Sequence, residues 1–251
     1  MELKNKIAVV TGSSKGIGRA IAKKLAQDDY VVYVTYKTGE KDGEKVVKEI
    51  KNNGGKAHLL KLDVCLEKDV KKAFEQVKKD YGYLNVLVNN AGIEISKKIE
   101  DITLKEWKMV IDTKIDGNFL CTKYALPLLK EKDNANLIII VSSLGDRPDY
   151  KFPAYCVGTA GTIAFMKMMA QELGQYGIRT NAVAPGTTKT PMWDGLGGDD
   201  KKMWNIFAKS NPMGRVSTPE DIANAVLMII NDKSKYLNGN IIYVNGGGHL
   251  K

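Results

Sequence analysis

The chain reads Val9-Val10-Thr11-Gly12-Ser13-Ser14-Lys15-Gly16-Ile17-Gly18-Arg19 at the point where an apolar run gives way to an amphipathic pattern. The run from Lys6 to Thr11 predicts a buried strand, and the pattern from Gly18 to Asp28 predicts a helix. A glycine turn between a strand and a helix directs free backbone N–H groups and the positive helix end at a pyrophosphate. The stretch therefore predicts an α/β fold with a phosphate-binding loop, formed by Gly12, Ser14, Lys15, Gly16, Ile17 and Gly18.

The glycines of this loop have separate predicted tasks. Gly12 allows the tight turn, Gly16 lets a phosphate approach the backbone, and Gly18 lets the helix pack closely on the sheet. The strict Gly-x-Gly-x-x-Gly spacing is absent, because Ile21 occupies the place of its third glycine. The spacing that is present is Thr-Gly-x-x-x-Gly-x-Gly.

Strand and helix patterns alternate along the rest of the chain. Seven strands and six helices predict one doubly wound (Rossmann) domain over residues 1–251, with a mostly parallel sheet and helices on both faces. The long connection at about 187–212 follows a strand's carboxyl end and is predicted to be a substrate lid with a short helix around 200–209. The predicted strands are 6–11, 31–36, 57–62, 86–89, 137–141, 179–184 and 241–244, and the predicted helices are 18–28, 41–52, 67–79, 104–130, 154–175 and 219–230.

Composition excludes several classes of protein. The 251 residues are 43% hydrophobic and 27% charged, as in ordinary globular proteins, so disorder is not expected. The longest apolar run, Ala225 to Ile230, is too short to cross a membrane, and a cytoplasmic protein is expected. The net charge of +9 comes mainly from lysines spread along helices, with only four arginines, which argues against nucleic-acid binding. Three cysteines without a Cys-x-x-Cys pair predict free thiols and no metal site.

Further motifs occur along nearly the whole chain, among them Asn89-Asn90-Ala91-Gly92 after the fourth strand and Val244-Asn245-Gly246-Gly247 near the end. Together with the glycine loop they make the chain resemble the short-chain dehydrogenase/reductase family, closest to its 3-oxoacyl-carrier-protein reductase branch. The resemblance implies hydride transfer between a nicotinamide cofactor and a carbonyl or secondary alcohol. It also implies a homodimer or homotetramer built on the helices containing 107–130 and 155–175. The residues that it assigns to the cofactor are Asp63 and Val64 at the adenine, Asn90, Ala91 and Gly92 along the cleft, and Tyr155, Pro185, Gly186, Thr188 and Thr190.

Charge at the end of the second strand predicts which dinucleotide binds. An NAD site of this type needs a carboxylate on the ribose 2′-hydroxyl, whereas a 2′-phosphate needs cations. Tyr36, Lys37 and Thr38 stand there with no carboxylate before Glu40, and Lys15 lies in the glycine loop. NADP(H) is therefore favoured over NAD(H), with Lys15 and Lys37 near the extra phosphate.

The family's catalytic group is a serine, a tyrosine and a lysine four residues after the tyrosine. Ser142 and Tyr155 have the family spacing, but Thr159 stands where the lysine belongs and has no charge to lower the pKa of Tyr155. Lys114 stands where the family usually has an asparagine near that lysine. We therefore predict that Lys114 reaches into the space left by Thr159 and supplies the missing charge. The alternative is that Lys114 points to solvent or pairs with Asp112 or Asp116.

Three functions remain open from the sequence. The first is an NADP(H)-dependent oxidoreductase, acting on a 3-oxoacyl group, a small ketone, or a sugar or polyol. The second is a family member that binds the nucleotide without turnover and acts as a sensor or scaffold, as the replacement of the lysine by Thr159 suggests. The third is a hydrolase, because Gly12-Ser13-Ser14-Lys15-Gly16 also fits Gly-x-Ser-x-Gly with His249 downstream, although His58 is predicted within a strand and His249 lies near the chain end.

Overall fold

A seven-stranded parallel sheet forms the centre of the protein. The structure, a computed structural model, describes residues 5–196 and 200–250. The strand order is β3-β2-β1-β4-β5-β6-β7, and every neighbouring pair is parallel. The predicted doubly wound fold is confirmed. The strands are β1 (Lys6–Val10), β2 (Tyr30–Tyr36), β3 (Lys56–Lys61), β4 (Val86–Asn89), β5 (Asn136–Ile140), β6 (Arg179–Pro185) and β7 (Ile241–Val244).

Alternation of side chains explains why the strands read as continuous apolar runs. In β1, Ile7 and Val9 belong to one hydrophobic core, and Ala8 and Val10 belong to another. Successive side chains of a strand point to opposite faces, so each face of the sheet carries its own core under a layer of helices. The strand order reverses between β1 and β4, because β2 and β3 follow on one side of β1 and β5 to β7 follow on the other side of β4. Sheets of this kind bind ligands in the crevice at the carboxyl ends of the two strands where the order reverses.

Eight α-helices are present in the described part of the chain. They are α1 (Gly16–Gln27), α2 (Glu40–Asn52), α3 (Glu67–Tyr81), α4 (Leu104–Ile111), α5 (Gly117–Leu129), α6 (Pro153–Gly174), α7 (Lys201–Ser210) and α8 (Pro219–Ile230).

The prediction of one helix over residues 104–130 is wrong in one respect. A π-helical turn, Asp112–Asp116, separates α4 from α5. A π turn inserts an extra residue into the helix and changes the direction in which side chains point, and such turns often occur at functional sites. Lys114 lies in this turn.

The connection after β6 contains the predicted short helix, α7, which Asp200 caps by accepting a hydrogen bond from the backbone of Lys202 at 2.7 Å. Trp193, Trp204 and Phe207 form an aromatic cluster with ring centroids 5.3 to 6.1 Å apart. Residues 197–199 of the predicted lid lie outside the described residues. No helix in the described ranges is long and apolar enough to cross a membrane. The cytoplasmic location and the homo-oligomer stay predictions.

Candidate active site

The glycine loop closes tightly onto the start of α1. Gly12 and Gly16 have φ angles of +62° and +58°, in the left-handed region that favours glycine. Lys15, the residue before the first turn of α1, makes no side-chain cap, so no cap competes with a ligand for the first N–H groups. An uncapped helix start behind a glycine turn has the form of an anion site.

Asn90 and Ala91 hold this loop against the end of β4. The Asn90 side chain donates to the carbonyl of Thr11 at 2.8 Å, and the backbone N–H groups of Asn90 and Ala91 both donate to the Thr11 hydroxyl at 2.9 Å. A Cβ atom at Gly18 would lie 2.5 Å from the Asn90 amide nitrogen and 2.6 Å from the Gly12 carbonyl oxygen. Only glycine therefore fits at position 18.

Hydrogen bonds of Ser13 and Thr35 also hold the loop in place, and these were not predicted from the sequence. The buried Ser13 hydroxyl donates to the carbonyl of Val10 at 2.7 Å and accepts from the backbone of Thr35 at 2.8 Å. The Thr35 hydroxyl accepts from the Gly12 N–H at 2.9 Å. The signal was available, because a polar residue inside the apolar run of β2 needs a buried partner.

Two of the residues predicted for the adenosine end, Lys37 and Asp63, are paired with each other. The Lys37 ammonium lies 2.8 Å from the Asp63 carboxylate, and this contact raises the pKa of Lys37. The Lys37 side chain and Lys15 are both exposed. Val64 is buried against Gly117 at the start of α5.

The segment after β6 approaches the glycine loop. Gly186 packs on Asn245, since a Cβ at Gly186 would lie 2.7 Å from the Asn245 Cβ. The buried Thr188 hydroxyl donates to the Gly186 carbonyl at 3.0 Å and lies 2.9 Å from the Ser217 hydroxyl, so it holds the segment itself. Thr190 faces the loop, with its Cβ 3.6 Å from the place of a Cβ at Gly16.

Tyr155 stands in the first turn of α6, where Pro153 begins the helix. It is only 8% exposed and packs among apolar residues that include Val110 and Ala154. This burial raises the pKa of the Tyr155 phenol well above its ordinary value, and the Glu94 charge raises it further. A hydrogen bond with the Ser142 hydroxyl acts in the opposite direction, which places Ser142 beside the phenol.

Lys114 lies against the same phenol. Lys114 is only 3% exposed. Its Nζ lies 3.5 Å from the Tyr155 Oη and 4.5 Å from the centre of the Tyr155 ring. The ammonium thus combines a long hydrogen bond with a cation–π contact. Burial lowers the pKa of Lys114 to about 8, although the Glu94 charge acts to raise it. The alternative prediction, that Lys114 points to solvent or pairs with Asp112 or Asp116, is wrong, because Lys114 is buried against Tyr155.

The π turn and two glycines explain why Lys114 points inward. Its carbonyl accepts hydrogen bonds from the Asn118 amide at 2.6 Å and from the Thr162 hydroxyl at 3.0 Å, which compensates for the disturbed helix ladder. Side chains at Gly92 and Gly158 would crowd it, since their Cβ atoms would lie 3.4 Å from Lys114 Nζ and 3.1 Å from Lys114 Cβ. The lysine therefore occupies a channel that the surrounding backbone leaves open.

Thr159 is completely buried. Its methyl group packs under Gly145, 2.9 Å from the place of a Cβ there, and its hydroxyl has no hydrogen-bond partner among the described residues. A buried hydroxyl without a partner is costly, and a ligand hydroxyl would relieve that cost. This orphan hydroxyl, the uncapped start of α1 and the glycine cradle all fit a bound dinucleotide.

The histidines do not support the hydrolase interpretation. The His58 ring stacks on Tyr33 and its Nε2 lies 2.9 Å from the Tyr81 hydroxyl. The His249 ring stacks on Tyr243, and its Nδ1 lies 3.0 Å from the Asn245 side chain. Neither imidazole is bonded to Ser14, so that serine lacks the general base that a hydrolase needs.

The fold and the site define a class of protein. A family model described as enoyl-(acyl carrier protein) reductase matches residues 12–249, and the chain belongs to the short-chain dehydrogenase/reductase family. It is therefore an oxidoreductase of a family that uses a nicotinamide cofactor.

Individual relatives cover the whole domain. The chain is 37% identical over 249 residues to a 3-oxoacyl-acyl-carrier-protein reductase of Staphylococcus epidermidis, covering 98% of this chain and 100% of that protein. It is 35% identical over 248 residues to the reductase of the same description from Aquifex aeolicus, covering 98% of both. It is also similar to a solved dehydrogenase/reductase from Sinorhizobium meliloti, with a TM-score of 0.91, 30% identity, and coverage of 98% and 96%.

Proposed function

We propose that the protein is an NADP(H)-dependent oxidoreductase that interconverts a carbonyl and a secondary alcohol, with Lys114 in place of the lysine that the family has four residues after its tyrosine. The observation that carries this proposal is the contact of Lys114 Nζ with Tyr155 Oη at 3.5 Å. Through this contact Lys114 supplies a positive charge at the Tyr155 phenol, which the uncharged Thr159 does not supply.

The cofactor would lie along the crevice at the carboxyl ends of β1 and β4. The glycine loop and Thr190 would hold its pyrophosphate, Asp63 and Val64 its adenine, and Pro185 and Gly186 its nicotinamide end. The orphan hydroxyl of Thr159 would bond to the ribose next to the nicotinamide. When bound, the nicotinamide supplies or accepts the hydride.

The chain's own residues would then manage the proton. In the reducing direction, Ser142 donates a hydrogen bond to the carbonyl oxygen and Tyr155 gives its proton to the nascent alkoxide. The phenolate that remains is stabilised by the Lys114 ammonium. Without that charge, burial would strongly oppose ionisation, since burial alone already raises the pKa of Tyr155.

The preference for NADP(H) rests on Lys15 and Lys37. Lys37 pairs with Asp63, Lys15 lies in the glycine loop, and a phosphate on the ribose would compete with the Asp63 carboxylate for the Lys37 ammonium. The substrate is proposed only as a class: a 3-oxoacyl group, a small ketone, or a sugar or polyol. The homodimer or homotetramer implied by the family is part of the same proposal.

Cofactor oxidation in the presence of carbonyl compounds tests this function. The purified protein is mixed with NADPH and, in turn, a 3-oxoacyl thioester, small ketones and a keto sugar, and the nicotinamide absorbance is followed. Turnover with at least one of them, abolished in Tyr155→Phe while NADPH binding is retained, is expected. NADPH binding without oxidation by any of them would instead support a non-catalytic sensor or scaffold.

A further inference from the structure

One face of α6 contacts Lys114 at three points. Tyr155, Gly158 and Thr162 follow one another at intervals of three and four residues along that helix, so they project from the same side of it. Tyr155 meets the tip of the lysine side chain, with its Oη 3.5 Å from Nζ. Gly158 leaves room for the base of that side chain, because a Cβ there would lie 3.1 Å from the Lys114 Cβ. Thr162 meets the backbone, with its hydroxyl 3.0 Å from the Lys114 carbonyl oxygen.

The Thr162 hydroxyl lies between two acceptors. Thr162 is completely buried, and its hydroxyl donates to the carbonyl of Gly158 at 2.8 Å and to the carbonyl of Lys114 at 3.0 Å, sharing one proton between them. The bond to Gly158 is the local one that a threonine commonly makes within its own helix. The bond to Lys114 differs from it, because it joins two elements that are 48 residues apart in the chain.

The Lys114 carbonyl needs such donors because it belongs to the π turn. In a regular α-helix each carbonyl accepts from the backbone N–H four residues further on, and a π turn moves that partner by one residue. The Asn118 side chain supplies one donor from the start of α5, at 2.6 Å. Thr162 supplies the other, from the helix that carries Tyr155. Of these two donors, Thr162 is the one that relates the turn to the phenol.

We propose that Thr162 is a positioning residue, whose hydroxyl fixes the π turn on α6 so that the Lys114 ammonium meets the Tyr155 phenol. This inference rests on the proposed function, in which Lys114 stabilises the phenolate. A lysine on α6 itself would keep its place beside Tyr155 through the helix backbone. A lysine that comes from another element needs a separate tie to α6, and Thr162 supplies it two turns beyond Tyr155.

A second buried threonine provides a matched control. Thr180 of β6 is as completely buried as Thr162, but its hydroxyl has no hydrogen-bond partner among residues 5–196 and 200–250. Thr180→Val therefore removes a buried hydroxyl that does not hold Lys114. Valine has nearly the shape of threonine without the hydroxyl, whereas serine keeps the hydroxyl and loses the methyl group.

Removal of the Thr162 hydroxyl in two backgrounds tests this role. The value of kcat/KM for ketone reduction at saturating NADPH is measured for Thr162→Val, Thr162→Ser and Thr180→Val, and for Thr162→Val combined with Lys114→Asn. NADPH affinity and unfolding by denaturant are measured for the same proteins. If Thr162→Val does not fold, Thr162→Ala removes the same hydroxyl without placing a methyl group beside the two carbonyls.

Thr162→Val is expected to lower kcat/KM by about 3- to 10-fold, as for loss of one neutral hydrogen bond, with NADPH affinity unchanged. Thr162→Ser and Thr180→Val should stay within about twofold of the wild type. In the Lys114→Asn background, Thr162→Val should cause no further loss, because a residue that acts through the lysine has no effect once the lysine is gone.

Three results would overturn the role of Thr162. They are an equal loss in both backgrounds, which a merely structural residue would give, full activity in Thr162→Val, and a loss in Thr162→Ser as large as that in Thr162→Val. Absence of turnover with any carbonyl compound in the wild type is a separate result and contradicts the proposed function itself.

Discussion

The Nζ atom of Lys114 lies 3.5 Å from the Oη atom of Tyr155, although the π turn and α6 that carry them are far apart along the chain. The lysine that usually follows the tyrosine on its own helix is replaced by Thr159, and the positive charge enters from a neighbouring helix. In the proposed mechanism the phenol needs a cation nearby, and Lys114 supplies it from a different element of the fold.

A buried ammonium of this kind should reduce stability. The pKa of Lys114 falls from 10.5 to about 8, which at 1.36 kcal/mol per pKa unit corresponds to about 3 kcal/mol opposing folding at neutral pH. Because the folded pKa lies below the unfolded one, this penalty is full below pH 8 and fades as the pH rises towards 10.5. Lys114→Met removes this penalty of about 3 kcal/mol but also removes a cation–π contact that contributes about 1 kcal/mol. The free energy of unfolding at pH 7 should therefore rise by about 2 kcal/mol.

Denaturant unfolding of the wild type and Lys114→Met at pH 7 and pH 10 measures this gain. Lys108→Met, at an exposed lysine of α4, is the control and should leave stability within about 0.5 kcal/mol. The gain should shrink at the higher pH. A Lys114→Met protein that is less stable than the wild type at pH 7 would show that the lysine is structural.

The same titration should limit the rate of reduction at alkaline pH. Above pH 8 the Lys114 amine loses its proton and no longer stabilises the Tyr155 phenolate. At saturating NADPH, the value of kcat/KM for ketone reduction reports the enzyme that holds NADPH and no ketone, and it should decline as this ammonium titrates, on a limb near pH 8. A pH series in the wild type and in Lys108→Met should give the same limb, and a rate that stays constant well beyond pH 8 argues against a role for this ammonium.

Cofactor preference should depend on the lysines at the adenosine end. Lys37→Ala and Lys15→Ala should each lower the NADPH-to-NADH ratio of kcat/KM by about tenfold, through loss of one charge-assisted contact with the 2′-phosphate. Both side chains are exposed, so the effect should weaken as salt is added. Lys45→Ala, on the exposed face of α2, is the control. An equal loss with both cofactors would mean that these lysines do not recognise the phosphate.

Close packing at Gly18 gives a prediction that does not involve catalysis. In Gly18→Ala the new methyl group would meet the Asn90 amide and the Gly12 carbonyl, and the loop would have to move. We expect NADPH affinity to fall by at least about tenfold, and stability by about 1–3 kcal/mol. Gly174→Ala, whose Cβ would meet no atom closer than 3.5 Å, should change neither calorimetric binding nor unfolding appreciably. Unchanged binding in Gly18→Ala would mean that the loop does not hold the cofactor.

The fold and the position of the glycine loop were accessible from the sequence because they depend on local patterns. Strand alternation, glycine spacing and the succession of elements all act over short stretches of chain. The contact of Lys114 with Tyr155 was also suggested by the sequence, because positions 114 and 159 both depart from the same motif pattern.

Other features depend on contacts that no local pattern encodes. The π turn depends on Asn118 and on Thr162, and Thr162 comes from another helix. The ion pair of Lys37 with Asp63 joins the ends of two strands.

Exchange of the two positions tests the central claim most directly. The value of kcat/KM for ketone reduction is measured, together with NADPH affinity, in the wild type, Lys114→Asn, Thr159→Lys and the double variant. Lys114→Asn should lose about 10- to 100-fold, as expected when a hydrogen bond to a charged group is removed. The double variant should recover most of that loss, because the lysine returns to the tyrosine's own helix. Full activity in Lys114→Asn, with NADPH still bound, would contradict the assignment of Lys114 as the cation at Tyr155.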